Sequence, residues 1–335
     1  MQKINKSPVL TSNNFGINYF FVENVFEKLK PFKNFKITNC DTQEKEPENI
    51  TYPICEFSVR PNVCKKLCLN ESTAKVEFNL DGDSVFNEQK IEVKSGLKTK
   101  IIFDFSAQNS FLFNKIIFDL KEESFCDAVF VINTKNTNNF LNFESVLQKN
   151  AKLNLTFATF SNTKSIFNVF SKNLGENSET NLNTMYITRE GGKIDLNLFV
   201  QNIGKNTKAN INSNGALLDS AEKSFKGTID FLKGAQKSFG AEKEYCVLLS
   251  SGAISKSLPM LLCGEEDVTG SHSSSSGKLD ENQLFYLMSR GLNKKEATSL
   301  LLKAKFNSGL KQIFDEELKN KILEKIDRSV YGKSF

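Results

Sequence analysis

The chain has 335 residues, of which 39% are hydrophobic and 25% charged, with a formal net charge of +5. That is enough apolar material for one large solenoid-like domain or two ordinary ones, and it excludes a wholly disordered chain. The lysines are scattered rather than gathered into a basic stripe, which argues against a nucleic-acid binder.

Residues 1–70 read as an irregular start. The opening MQKINKSPVLTSNNFGINYF has no apolar stretch after its early lysines, so a secretory leader is not expected. No run approaches the ~18 apolar residues of a bilayer span. Phe15–Phe32 fits a short amphipathic helix stopped by Pro31, and the polar residues 33–53 fit a loop. The seven cysteines are an odd number without a disulfide framework, which points to a reducing, cytoplasmic setting. Cys64 and Cys68, with Cys55 upstream, have no histidine beside them and are read as structural.

From Ser72 the apolar period becomes two. Val76, Phe78 and Leu80 alternate with polar residues, as do Ile91 and Val93, then Ile101, Phe103 and Phe105. Short β-branched and aromatic runs continue at Ile116–Leu120, Ala128–Ile132, Leu153–Phe157, Ile166–Phe170, Ile194–Val200, Ala209–Ile211, Thr228–Phe231, Tyr245–Leu249 and Met260–Leu262. No helical period interrupts them, which excludes a βαβ protein. Gly-Ala pairs at Gly215, Gly234 and Gly252, spaced 19 and 18 residues apart, suggest a turn repeated once per coil of a β-solenoid. Thirty phenylalanines and no tryptophan would fill its interior in rows. A β-sandwich also fits strands at this spacing.

After Met260–Leu262 come an acidic triplet, Glu265, Glu266 and Asp267, and the only histidine, His272, in what reads as a Gly/Ser-rich turn. From Asp280 the period is helical. Asp280-x-x-Gln283 and Asn293-x-x-Glu296 resemble capping boxes. One helix is expected over Glu281–Arg290, stopped by Gly291, and a second over Lys294–Phe306. A stripe of Leu310, Ile313, Phe314, Leu318, Ile322 and Ile326 follows. This helical module is expected to cap the C-terminal end of the β domain.

His272 is the sharpest candidate for chemistry, because a neutral imidazole suits iron. Glu265 and Glu266 could add hard oxygen ligands, although acidic triplets are more often solvated turns. Cys246 and Cys263 offer thiolates, but both lie in apolar runs where cysteine behaves as a small hydrophobe. Phe285, Tyr286 and Arg290, with Leu284, would make a partner-anchoring set on the first helix, or would pack onto the β domain. Gly277-Lys278 is not a P-loop, since Leu279 stands where a hydroxyl is needed and His272 where the first glycine is needed.

The run Glu265–Val268, His272, Gly277-Lys278-Leu279-Asp280-Glu281, Gln283–Leu287 and Ser289-Arg290-Gly291, with Phe225-Lys226-Gly227 and Leu248-Leu249 upstream, resembles the SufB/SufD family of SUF iron–sulfur cluster assembly scaffolds. The resemblance implies a right-handed parallel β-helix over 71–279, after the N-terminal segment 1–70 and before a helical region 280–335. It implies a SufC-type ATPase docked on the helices and a SufB-type partner subunit, or a second copy, joined through the last coils. It further implies an iron–sulfur cluster or iron held transiently at the subunit interface, with His272 taking part. SufB-type members place an assembly cysteine four residues before the Leu-Leu pair. Glu244 stands there and Cys246 is two residues on, which favours a SufD-like role. The readings from other classes are a β-solenoid enzyme acting on polysaccharide, with acids and aromatics lining a cleft, and a purely structural solenoid.

Overall fold

A computed structural model describes residues 2–4, 20–22, 30–44, 50–52, 55–59 and 61–332. Short strands come first: β1 (Gln2–Ile4), β2 (Phe20–Val22), β3 (Phe35–Thr38), β4 (Asp41–Glu44), β5 (Ile50–Tyr52) and β6 (Cys55–Val59). There follow β7 (Val63–Cys68), β8 (Thr73–Asp81), β9 (Ser84–Val93), β10 (Lys98–Gln108), β11 (Phe111–Leu120), β12 (Phe125–Lys135), β13 (Asn138–Leu147) and β14 (Lys152–Ser161). The series continues with β15 (Lys164–Asn173), β16 (Glu179–Thr188), β17 (Lys193–Asn202), β18 (Lys208–Leu217), β19 (Glu222–Phe231), β20 (Ser238–Leu248), β21 (Ile254–Cys263) and β22 (Val268–Gly277). Helices α1 (Glu281–Ser289), α2 (Lys294–Lys305), α3 (Asn307–Leu310) and α4 (Glu316–Val330) end the chain.

From β7 onward, odd and even strands separate into two sheets, and each strand pairs in parallel with the strand two places on. This is a parallel β-solenoid with two strands per coil. The sandwich alternative is excluded, because face-packed antiparallel sheets would pair consecutive strands antiparallel. The expected strands are all present, and β7, β13, β16 and β22 are added; β7 falls in the segment expected to be irregular, and the other three are rich in polar residues. Their asparagines and serines conceal them from a search for apolar runs.

The coil period differs from the expected one. Lys98, Phe125, Lys152 and Glu179 are successive register partners, each 27 residues after the last, and Lys208 and Phe239 follow at 29 and 31. The Gly-Ala pairs at 18–19 residues therefore do not mark coils; Gly215 lies inside β18, while Gly234 and Gly252 lie in turns. The true marker is a left-handed residue repeated once per coil: Gly96, Glu123, Asn150, Asn177, Asn206 and Lys237 all have positive φ. Each turn hydrogen-bonds to the next, as in Asn150 N to Glu176 O at 2.9 Å and Asn177 N to Lys205 O at 3.0 Å. Asparagine tolerates this conformation where β-branched residues do not. Asn150→Val is expected to cost about 1–2 kcal/mol. Asn150→Gly should be close to neutral, and chemical denaturation of the two variants separates the cases.

Alternation sends every second side chain into the coil, where register stacks equivalent positions into columns. Phe103 and Phe130 stack at 4.2 Å and 7°, and Phe130 meets Phe157 at 4.9 Å. At the N-terminal end the interior is covered. Phe32 and Phe35 stack on Phe78, and β3 and β4 pair antiparallel with β8 and β7. Residues 35–44 are thus not the expected loop. The helix expected over Phe15–Phe32 lies mostly outside the described residues; within it, Phe20–Val22 forms a strand paired with Gln2–Ile4.

The helices have a different position from the one expected. Leu302, Phe306, Leu310, Ile313, Leu318, Ile322 and Ile326 pack on the outer face of the even sheet, against residues from Ile102 to Val247. They run back along the flank instead of closing the last coil. The outward positions Val129, Val131, Ala158, Phe160 and Ile187 are apolar to receive them. Asn293 and Glu296 form a complete capping box on α2, whereas Asp280 caps α1 by accepting from Asn282 and Gln283. The stripe from Leu310 to Ile326 breaks after α3 and resumes in α4 behind its cap, Asp315.

Candidate functional site: a polar mouth at the end of the coil interior

The interior columns change character toward the C-terminal end. One runs Val76, Phe103, Phe130, Phe157, Thr184, Ser213, Glu244, Ser274. Its neighbour runs Ala74, Ile101, Ala128, Leu155, Leu182, Ile211, Glu242, His272. A third brings Tyr186, Gly215, Cys246 and Ser276 into line. On the facing sheet, Lys223 follows Ile194 and precedes Ser255. An apolar core therefore ends in a cluster of ionisable and hydroxyl groups within the last two coils.

Lys223 and Glu244 make an ion pair at 2.6 Å, both side chains fully buried. Ser257 accepts from Lys223 Nζ at 2.7 Å and donates to Glu244 Oε2 at 3.1 Å, and Ser274 donates to the same oxygen at 2.6 Å. Glu242 is differently placed. It is 1% exposed, yet neither carboxyl oxygen makes a hydrogen bond of full geometry. Burial, followed by the Glu244 charge, pushes its carboxyl up to about 8, against a lowering contact from the Met260 backbone. Gly227 makes room for it, since a Cβ there would lie 2.1 Å from Glu242 Oε1. Gly215 does the same for Tyr186, whose ring carbons would lie 1.9–2.0 Å from an added Cβ. The Tyr186 hydroxyl lies against the Cys246 thiol, and burial raises the pKa of both groups.

His272 is not in a turn. It sits at the centre of β22, paired in register with Glu242, and its side chain is exposed. Gly and Ser are weak strand formers, but the edge of β20 provides a continuous hydrogen-bonding template from Ser238 to Val247. β21 and β22 are the terminal strands of their sheets, so His272, Ser274 and Ser276 hold interior positions with no further coil above them.

The other sequence candidates fall elsewhere. Glu265 accepts from the Gly234 and Glu266 amides at 2.9 and 3.0 Å, and the Gly234 contact leads in holding its carboxyl below the usual range. It fastens the β21–β22 turn to the coil beneath. Glu266 is exposed in that turn. Cys246 is buried in the interior, on the same face as Glu244, as alternation requires, while Cys263 is exposed at the end of β21. Among the described residues, no three His, Cys, Asp or Glu side chains are grouped to hold a metal ion. His272, Cys246, Glu265 and Glu266 are thus not brought together as one set. Glu242 carries no signal in the sequence, because SFGAEKEYCVLL reads as a strand with a polar face, and Lys223, in the separate run EKSFKG, is one lysine among many. Only the register shows that this polar face points inward.

On α1, Phe285 is 73% exposed and Tyr286 57%, with the Arg290 guanidinium 5.4 Å from the Tyr286 ring centre. Leu284 turns the other way and lines a cleft with Leu218, Leu248 and Leu249.

Residues 77–305 match the family model described as the SUF system FeS cluster assembly, SufBD core domain. The chain belongs to this family of iron–sulfur cluster assembly proteins. Relatives include the iron–sulfur cluster assembly protein SufD of Bacillus subtilis, 34% identical over 35% of this chain and 27% of that protein. SufD of Escherichia coli is 30% identical over 34% of this chain and 27% of its own length. A SufBD family protein of Pyrococcus horikoshii is 35% identical over 33% and 25%. The matched segments thus span about a quarter of each relative. No helix among the described residues is long and apolar enough to cross a membrane.

Proposed function

We propose that this chain is a SufD-type scaffold subunit without turnover chemistry of its own. A SufB-type subunit, or a second copy, stacks on β21 and β22, and iron and sulfide are gathered where the two meet. The polar mouth supports this reading best, because it places the single imidazole over an ionisable interior at the edge where another solenoid can add strands. In this reading iron is cargo, and His272 is the residue that touches it.

The helices from 280 onward form the docking module for a SufC-type ATPase, and 71–279 form the scaffold. The exposed Phe285, Tyr286 and Arg290 are aromatic and arginine anchors of the kind that dominate interfaces. The reading places the complex in a reducing, cytoplasmic compartment, in keeping with seven cysteines that lack the spacing of a disulfide framework. The test is co-purification with a SufC-type ATPase. Phe285→Asp or Arg290→Glu is expected to weaken the contact at least tenfold, corresponding to about 1.4 kcal/mol or more. Undiminished binding in both variants overturns the docking assignment.

A further inference from the structure

Glu242 is the most unusual residue of the mouth. Six residues of its column, from Ala74 to Ile211, are apolar. A carboxyl in seventh place costs several kcal/mol unless something compensates it. Its neighbour Glu244 is compensated by Lys223, Ser257 and Ser274. That lysine is already engaged, so the interior holds two carboxyls against one ammonium. Glu242 has no side-chain partner, only the contact from the Met260 backbone, and its place is built by a glycine on the opposite sheet.

What stands above it is His272, on the adjacent strand in the same column. Parallel neighbours on one face are separated by about 4.8 Å, within reach of a shared ion. A carboxyl and an imidazole on adjacent strands of one column are a donor pair suited to divalent iron, and a bound cation would hold the carboxyl in its ionised form. Two donors from one chain leave the remaining coordination positions to sulfide and to groups of the stacked subunit.

We propose that Glu242 is the inner oxygen ligand of the ferrous ion that His272 receives, the two residues forming this chain's half of a cation site at the end of the coil interior. The inference rests on the reading above that His272 takes up iron, and it adds a ligand invisible from the surface.

The test uses the full chain under anaerobic conditions, titrated with Fe(II) alone. The chain has one histidine, so its ring protons give a single pair of NMR signals that a paramagnetic ion broadens on binding. Calorimetry supplies the dissociation constant. The wild type is expected to bind at sub-millimolar Fe(II) with its ring signals broadened. Glu242→Gln and His272→Ala should each weaken binding at least about tenfold, and Glu242→Asp, which withdraws the carboxylate by one methylene, should weaken it without removing charge. Thermal melting confirms that each variant is folded.

Wild-type affinity in Glu242→Gln with loss in His272→Ala overturns the ligand assignment and leaves the His272 reading standing. Loss in Glu242→Gln with wild-type affinity in His272→Ala overturns the His272 reading and the pairing with it. Wild-type affinity in both variants, or no Fe(II) binding by the unaltered chain, overturns both.

Discussion

Replacing Lys223 by methionine is expected to cost about 3–5 kcal/mol of stability, measured by urea unfolding. Methionine fills a similar volume, so the loss is electrostatic. It leaves the Glu244 carboxylate fully buried with only the hydroxyls of Ser257 and Ser274, and with Glu242 close by. Breaking a buried pair from one side costs far more than removing both partners. Lys223→Met combined with Glu244→Gln should therefore recover most of the loss. A single-variant cost under about 1 kcal/mol would show that the pair contributes little to the fold.

Glu242→Gln should act in the opposite direction. The carboxyl ionises near 4.5 in the unfolded chain and at about 8 in the folded one. Between those pH values the unfolded chain binds fewer protons than the folded chain, so wild-type stability falls as pH rises and levels off above about 8. Integration gives a cost of roughly 4 kcal/mol at pH 7.5 and about 1 kcal/mol at pH 5. Glutamine has no such titration. The variant should be more stable than wild type by about 4 kcal/mol at pH 7.5 and by only about 1 kcal/mol at pH 5. Denaturation at the two pH values reads the difference, and an equal gap at both would contradict the shift. A substitution that stabilises the fold while weakening iron binding is the pattern expected of a group retained for function.

Much of the architecture was legible in the sequence. Alternating runs such as Val76–Leu80 and Ile91–Val93 identify strands because their inner side chains are apolar and their outer ones are not. The coil period was hidden, because asparagine and even glutamate or lysine occupy the left-handed turn where a glycine repeat was sought. β22 was hidden as well. An end strand with nothing stacked on its inner face has no burial to impose an apolar pattern, so GSHSSSSG resembles a loop although it pairs as a strand. The placement of the helices could not be read from their own stripe, which says that a face is covered without saying by what. The outward Val129, Val131 and Ile187 supply that answer once the register is known. The site was legible in part: His272 stood out by rarity, whereas Glu242, Glu244 and Lys223 acquire meaning only when strands about 30 residues apart are stacked.

The two ends of the solenoid are unlike, and this limits what it can build. Elongated β-stacks with two receptive ends join head to tail without limit and become fibres. Here the first coil is sealed by Phe32 and Phe35 and bordered by β4, whose exposed Asp-Thr-Gln-Glu offers little to an approaching strand. In the proposed pairing growth proceeds from the histidine end, and two such ends brought together consume each other. The expected product is a pair of bodies that terminates itself, its length fixed at twice one rod whatever the concentration.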